Sequence, residues 1–261
     1  MLTNPHKRIA VCLSGYTRTW KHCFESQQLF FGKYLTDFFL HIWEDGTDVL
    51  GGNENDQIAL LQAYRPLGVC SQKRPDYRAF EKKVQSTYDV QRSSANLMYI
   101  AHGVREAIHL AQRTEHFTGI KYDFIVRARY DTLFNGDFCM IEPTMKPGTL
   151  YLPDQANYHR GYNDQVAIAD PATMYKFSEL FYWLPKSFQF EYPRNAYIGE
   201  IVLRNYIDSL KIPVEHRPMM YRILRPNHIG RRWEEIPEND MSYSRKRNYE
   251  RLKRAQELKK S

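Results

Sequence analysis

The stretch YDFIVRARYDTLF, residues 122–134, decides the expected fold. Its apolar residues 124–126 are typical of a buried strand. Successive side chains of a strand point to opposite faces, so Arg127, Arg129 and Asp131 share one face. The alternate positions are apolar or aromatic and are expected to join the core. The polar face is either a ligand site or a structural Arg–Asp pair that closes the strand, and the stretch alone leaves both open.

Strand and helix patterns alternate on both sides of this stretch. Apolar strands are predicted at 8–13, within 36–46, near 68–70 and at 122–130, with helical spacing between them and over 93–113. Later strands are predicted at 149–153, within 162–170 and within 212–226. A helix is expected to begin at Asp170-Pro171, and another is expected over 195–210. This order predicts an α/β domain with a mainly parallel sheet flanked by helices.

Composition narrows the class of protein. The chain has 261 residues, of which 43% are hydrophobic and 14% aromatic, as in a globular domain. The sequence contains no run of 18 apolar residues, so no membrane-spanning segment is predicted. Four cysteines without CxxC spacing indicate reduced thiols and a cytoplasmic location.

The net charge of +7 is concentrated at the C-terminus. Residues 245–260 hold eight Lys or Arg against two Glu, which accounts for six of the seven charges. The body is therefore nearly neutral, and a nucleic-acid-binding protein is disfavoured. Residues 239–261 are predicted to form a basic helical tail. Peripheral contact with an anionic membrane and a solvated tail are both consistent with this pattern.

Three predicted strands end in polar residues, at 14–18, 41–45 and 127–131. Ligands of parallel sheets bind at the carboxyl ends of the strands, so these ends are expected to form one crevice. Gly15 would let the backbone approach a ligand closely, and Arg18 is a cation suited to phosphate. The sequence contains neither a GxGxxG motif nor a P-loop.

Four segments occur in a familiar order: RIAVCLSGYTRTW, DFFLHIWED, YDFIVRARYDTLF and YNDQVAIAD. In this order, over residues 8–225, the chain resembles the GT-A-type glycosyltransferases of polysaccharide and lipopolysaccharide biosynthesis. The resemblance implies a GT-A-like, Rossmann-like domain over 1–238, with a nucleotide-binding part at about 1–135 and an acceptor part at about 150–238. It also implies a nucleotide-sugar donor and a glycan or lipid-linked acceptor.

The same resemblance implies roles for residues at two strand ends. Those of the first loop would contact the nucleotide: Ser14, Gly15, Tyr16 and Arg18. Asp131 corresponds to the last acid of the family's DxD element, which binds Mn²⁺ or Mg²⁺ and the diphosphate. Arg129 replaces the first acid, so Asp131 is the remaining metal ligand and metal dependence is open. Arg127 and Arg129 would supply part of the metal's charge.

In the acceptor part, the resemblance implies that Asp164 lies near the acceptor, where it would serve as the catalytic base. The alternative is an Asx turn before a strand. Glu200 is a second candidate for the base, and His216 and His228 are candidate metal or phosphate ligands. An aromatic wall for a base or sugar is expected from Trp43, Tyr158 and Tyr162, and Asn96 is expected to face the site.

Two other functions compete with glycosyl transfer. A sugar nucleotidyltransferase also binds a nucleotide on an α/β sheet, but its first loop is usually rich in Gly and basic residues, unlike SGYTRTW. The other is a non-catalytic nucleotide-binding protein.

Overall fold

A computed structural model describes residues 7–44, 54–88, 94–138, 144–154, 161–189, 197–231 and 233–236. Its strands are β1 Arg8–Ser14, β2 Leu35–Trp43, β3 Gly68–Gln72, β4 Phe124–Arg129, β5 Thr132–Phe134, β6 Leu150–Pro153, β7 Ala167–Ala169, β8 Val214–Arg217 and β9 Tyr221–Ile223. Its α-helices are α1 Trp20–Phe31, α2 Glu54–Tyr64, α3 Arg78–Thr87, α4 Ala95–Thr118, α5 Pro171–Ser178, α6 Leu180–Trp183 and α7 Gly199–Ser209. The predicted tail at 239–261 lies outside the described residues.

Seven strands form one sheet in the order β3-β2-β1-β4-β7-β6-β8. β1 pairs in parallel with β2 and β4, and β2 with β3. Helices α1, α2 and α4 occur in the connections between these strands, as parallel pairing requires. β7 runs antiparallel to β4 and β6, and β8 is parallel to β6. The prediction of a mainly parallel α/β sheet is confirmed, and both halves of the chain contribute to it.

The sheet has an apolar layer on each face. Ile125 of β4 packs in the layer that includes α4, α5 and α7. Val126, Ala128 and Tyr130 pack in the opposite layer, with α1 and the strand β9. The predicted alternation along residues 124–130 is therefore confirmed, and β4 is buried on both sides. This burial holds the strand end, with its arginines, at a fixed place.

A small antiparallel sheet of β5 and β9 brings the C-terminal part to the end of β4. Beyond the paired residues, the backbone N–H of Leu224 donates to the carbonyl of Asp131 at 2.8 Å. The carbonyl of Leu224 in turn accepts from the Thr19 hydroxyl at 2.9 Å. The segments that follow β1, β4 and β9 are distant in sequence, and they thus meet at one point.

Helix ends match the predictions in part. Asp170 caps α5, since its carboxylate accepts from the backbone N–H of Thr173 at 3.2 Å and Pro171 begins the helix. Ser94 precedes α4, but its hydroxyl makes no capping hydrogen bond. The helix predicted at 195–210 begins at Gly199, and α3 was not predicted. Among the described helices, none has both the length and the apolar character needed to span a bilayer.

Candidate functional site

A cleft of about 670 Å³ opens at the carboxyl ends of β1, β2 and β4. Seven residues identified from the sequence line it: Ser14, Gly15, Tyr16, Trp43, Asn96, Arg127 and Arg129. The polar strand ends therefore converge as predicted. The first loop turns at Gly15, whose φ of +109° strains any residue with a side chain.

Asp131 lies behind the wall of this cleft and is completely buried. Its two carboxylate oxygens accept from Nε and Nη2 of Arg129, each at 2.7 Å. Oδ2 also lies 3.5 Å from Nη2 of Arg18 and 3.7 Å from Nη1 of Arg225. One carboxylate thus holds three guanidinium groups, which come from the loop after β1, the end of β4 and the segment after β9. We call Arg18, Arg129, Asp131 and Arg225 the arginine cluster.

The electrostatics of the cluster keep Asp131 ionised. Burial alone raises the pKa of a carboxyl group, but Arg129, with Arg225 and Arg18, outweighs burial and lowers the pKa of Asp131. For Arg129, burial lowers the pKa, and the adjacent Asp131 more than compensates, so its pKa is raised. Both partners are charged at neutral pH.

Gln27 of α1 fixes the turn that carries Asp131, and the Gln27 side chain is fully buried. Its amide nitrogen donates to the carbonyls of Arg129, Tyr130 and Thr132 at 3.2, 3.4 and 2.9 Å. Its amide oxygen accepts from the Tyr64 hydroxyl at 2.8 Å. Because these carbonyls are satisfied inside the protein, the turn is rigid and presents Arg129 in one orientation.

Arg127 is 2% exposed, and yet it lines the cleft. Its Nη1 donates to the carbonyl of Gln165, while its Nε has no hydrogen-bond partner among the described residues. Burial lowers the pKa of Arg127 to about 10, so the group stays charged at neutral pH. A buried charged donor without a partner at the wall of a cleft indicates an anionic ligand.

Asp164 lies on the loop that precedes β7, near these arginines. Its charge raises the pKa of both Arg127 and Arg129. The Asx turn weighed for Asp164 is instead made by Asn163, whose side-chain oxygen accepts from the Gln165 N–H at 2.8 Å. Asp164 is half-buried, and it makes no side-chain hydrogen bond or ion pair within the described ranges. Its carboxylate is available for chemistry.

Aromatic rings form the other side of the cleft. The guanidinium of Arg74 lies 5.3 Å from the ring of Tyr16 and 5.5 Å from that of Tyr99. Arg18 lies 5.2 Å from the Tyr16 ring, and it lines a second depression of about 680 Å³ and not the cleft itself. Trp43 meets Tyr99 edge to face, with ring centroids 5.8 Å apart. These surfaces are suited to stacking against a planar ring.

Behind the aromatic side, the buried His41 and the half-buried His102 form a polar chain with Gln72 and Tyr77. Gln72 Nε2 lies 3.0 Å from Nε2 of both His41 and His102, and the Tyr77 hydroxyl lies 2.5 Å from Nδ1 of His102. Burial, with a smaller contribution from His102, lowers the pKa of His41 to about 3. A side chain at Gly103 would approach His41 to 2.9 Å, so the ring has no room to move.

The oxygen atoms of Asp131 are the ligands that the predicted metal site would use. Both oxygens of Asp131 are taken by Arg129, and three cations surround them. Among the described residues, no group of three His, Cys, Asp or Glu side chains is arranged to hold a metal ion. Asp131 does not fit Mn²⁺ or Mg²⁺, because both of its oxygens are engaged by Arg129 and the residue is completely buried.

Other residues singled out in the sequence do not line the cleft. The ring nitrogen Nδ1 of His216 lies 3.2 Å from the carbonyl of Pro153, and His228 is buried in a short 3-10 turn. The Tyr162 N–H donates to the Glu200 carbonyl at 2.9 Å. Tyr158 lies outside the described residues.

Four cleft residues escaped the sequence analysis: Arg74, Tyr99, Ile100 and Arg225. Arg74 follows the end of β3, so the rule that polar residues after a strand form the site applies to it. Tyr99 is one helical turn beyond Asn96. Arg225 had no local signal, because its position depends on the pairing of β9 with β5.

No family model matches the chain, and no curated protein is similar to it in sequence. Among solved structures, the chain is similar to mouse xyloside xylosyltransferase 1 in its apo form, with 9% identity and a TM-score of 0.38, over 82% of this chain and 85% of that one.

Proposed function

We propose that this chain is a glycosyltransferase that takes a sugar from a nucleotide-sugar donor bound in the cleft. The observation that carries the proposal is the division of the cleft into an arginine side and an aromatic side, at the carboxyl ends of parallel strands. Guanidinium groups suit a diphosphate, and aromatic rings suit a base. The order of the sequence motifs supports the same reaction class.

In this proposal, the diphosphate lies against Arg127 and Arg129. When the sugar is transferred, the bond between its anomeric carbon and the diphosphate oxygen breaks, and the nucleoside diphosphate leaves with the bonding electrons. Fixed cations in a partly dry cleft stabilise the charge that develops on this oxygen. The unpartnered Nε of Arg127 supports this role. The hydrogen bonds of Gln27 to the turn that carries Arg129 support it as well.

The acceptor is a glycan or lipid-linked hydroxyl group that approaches from the side of Asp164. The hydroxyl oxygen forms the new bond to the anomeric carbon, and its proton passes to the Asp164 carboxylate. General-base assistance of this kind contributes about 10²–10⁴-fold. The proposal for Asp164 is supported by its position beside the arginines and by its lack of a structural partner in the described part of the chain.

A ligand screen tests the proposal. UDP-, GDP- and dTDP-sugars are added to the full chain, and the melting temperature is measured, since a ligand of the folded state raises it. We expect one nucleotide class to stabilise the wild type and to lose this effect in Arg127→Gln. The control is Arg113→Gln, an exposed arginine on α4, about 20 Å along the helix from Tyr99.

The screen also separates the competing functions. Stabilisation followed by sugar transfer to a glycan or lipid-linked acceptor supports a glycosyltransferase. Binding without turnover favours a non-catalytic nucleotide-binding protein. Pyrophosphate release from a nucleoside triphosphate and a sugar phosphate favours a nucleotidyltransferase. Stabilisation by none of the nucleotides contradicts the proposal.

A further inference from the structure

We propose that this chain binds the diphosphate of its donor without a divalent cation, because Asp131 serves as the anchor of an arginine cluster. The inference rests on the proposed function. It assigns Asp131 a positioning role and adds Arg225, from the segment after β9, to the residues that contact the donor.

The first support is the state of the Asp131 carboxylate. A divalent cation such as Mg²⁺ takes oxygen ligands at about 2.0–2.1 Å. In this protein, both oxygens already accept charged hydrogen bonds at 2.7 Å from Arg129, in a geometry that matches the guanidinium fork. Asp131 is completely buried, so a cation could reach it only by displacing Arg129.

The second support is the balance of charge. The cluster and Arg127 bring four guanidinium groups together with two carboxylates, Asp131 and the nearby Asp164, which leaves an excess of two positive charges. Arg74 adds another cation on the aromatic side, and the described lining of the cleft includes no carboxylate. A cation entering this region would meet repulsion, whereas a diphosphate would be attracted. The arginines thus supply the charge that a metal ion would otherwise provide.

Arg225 links this cluster to the C-terminal part of the chain. Its guanidinium reaches Asp131 and also lines the cleft. Its position follows from the hydrogen bond of the preceding residue, Leu224, to the carbonyl of Asp131. Asp131 therefore fixes Arg225 through both its backbone and its side chain. The guanidinium thus lies at the wall of the cleft, with its Nη1 3.7 Å from Oδ2 of Asp131.

The test compares nucleoside diphosphate binding with and without metal. UDP, GDP and dTDP are titrated into the wild-type chain by calorimetry, first in EDTA and then in excess Mn²⁺. We expect at least one to bind in EDTA, with a Kd within about threefold of its value in Mn²⁺. Binding that is tighter by about tenfold or more in Mn²⁺ overturns the inference and leaves the proposed function intact. Binding in neither condition contradicts both.

Variants of Arg225 test its contribution to the binding of the nucleoside diphosphate. Arg225→Gln should weaken binding by about tenfold or more in EDTA, and Mn²⁺ should not restore it. Arg225→Lys should recover part of the affinity, because it keeps the charge and loses the fork. Arg113→Gln is the charge-matched control and should bind like the wild type. If Arg225→Gln is folded by circular dichroism and binds normally, or is rescued by Mn²⁺, the assignment of Arg225 is wrong.

Discussion

Replacing Asp131 by Asn removes the single negative charge at the centre of the arginine cluster while keeping the side chain's shape. Three guanidinium groups then face one another with no carboxylate between them, at a site that has no solvent exposure at its centre. Breaking a buried ion pair by removing one partner typically costs about 3–5 kcal/mol. Since a domain's unfolding free energy is about 5–15 kcal/mol, this is a large fraction of it.

The measurement is urea unfolding of Asp131→Asn and wild type at pH 7, followed by circular dichroism. We expect the unfolding free energy to fall by about 3–5 kcal/mol with the slope m unchanged. Glu25→Gln, at an exposed position of α1, is the control, and the loss of this charge should change stability by about 0.5 kcal/mol or less.

The dependence of stability on acidic pH provides a second test of the role of Asp131. The folded pKa of Asp131 is lowered, so its contribution to stability is present above the usual pKa of 3.8 and is lost as the pH falls through the folded value. Below that range the wild type and Asp131→Asn should converge in stability. A loss of less than about 1 kcal/mol at pH 7 would show that the cluster is not a buried ion-pair network, and the reasoning would fail.

The remaining predictions concern other parts of the molecule. His41 has a folded pKa of about 3 against 6.5 when unfolded, so it costs stability as the pH falls from 6.5 towards 3, by up to about 1.4 kcal/mol per pH unit. His41→Gln should flatten that slope in unfolding experiments, and an unchanged slope would contradict the assignment. Asp164→Ala should lower kcat by about 10²–10⁴-fold and leave nucleotide affinity within about twofold, whereas equal losses would indicate a folding role. Deleting residues 243–261 should abolish sedimentation with anionic liposomes at low salt if the tail recruits the chain to membranes, and binding that survives the deletion excludes the tail.

Much of the fold was predictable because local patterns are strong in parallel α/β domains. Alternation along β4 placed Arg127 and Arg129 on one face, and both line the cleft, whereas Asp131 lies buried in the turn beyond the strand. The order of strands and helices predicted a mainly parallel sheet, and parallel strands bring their ends together. This is why residues 14–16 and 127–129, more than 100 positions apart, could be assigned to one crevice.

The parts that could not be predicted depend on long-range pairing. Arg225 reaches Asp131 only because β9 pairs with β5, and three-residue strands leave almost no periodic signal. Gln27 reads as an ordinary polar helix residue, although it satisfies three carbonyls of the turn that carries Asp131. The sequence motif assigned a metal-binding role to Asp131, and it carried no information about the three arginines that surround the carboxylate.

The meeting of the three segments at Leu224 has a consequence for the order of events during folding. The hydrogen bond between Thr19 and Leu224 joins positions 205 residues apart. Contacts of such separation close the largest loops of a chain and form late. During synthesis, the parallel strands β1 to β4 can assemble while Asp131 still lacks its partners from beyond β9. The cleft is therefore completed only after the segment that follows β9 has left the ribosome, and Asp131 is more exposed until then.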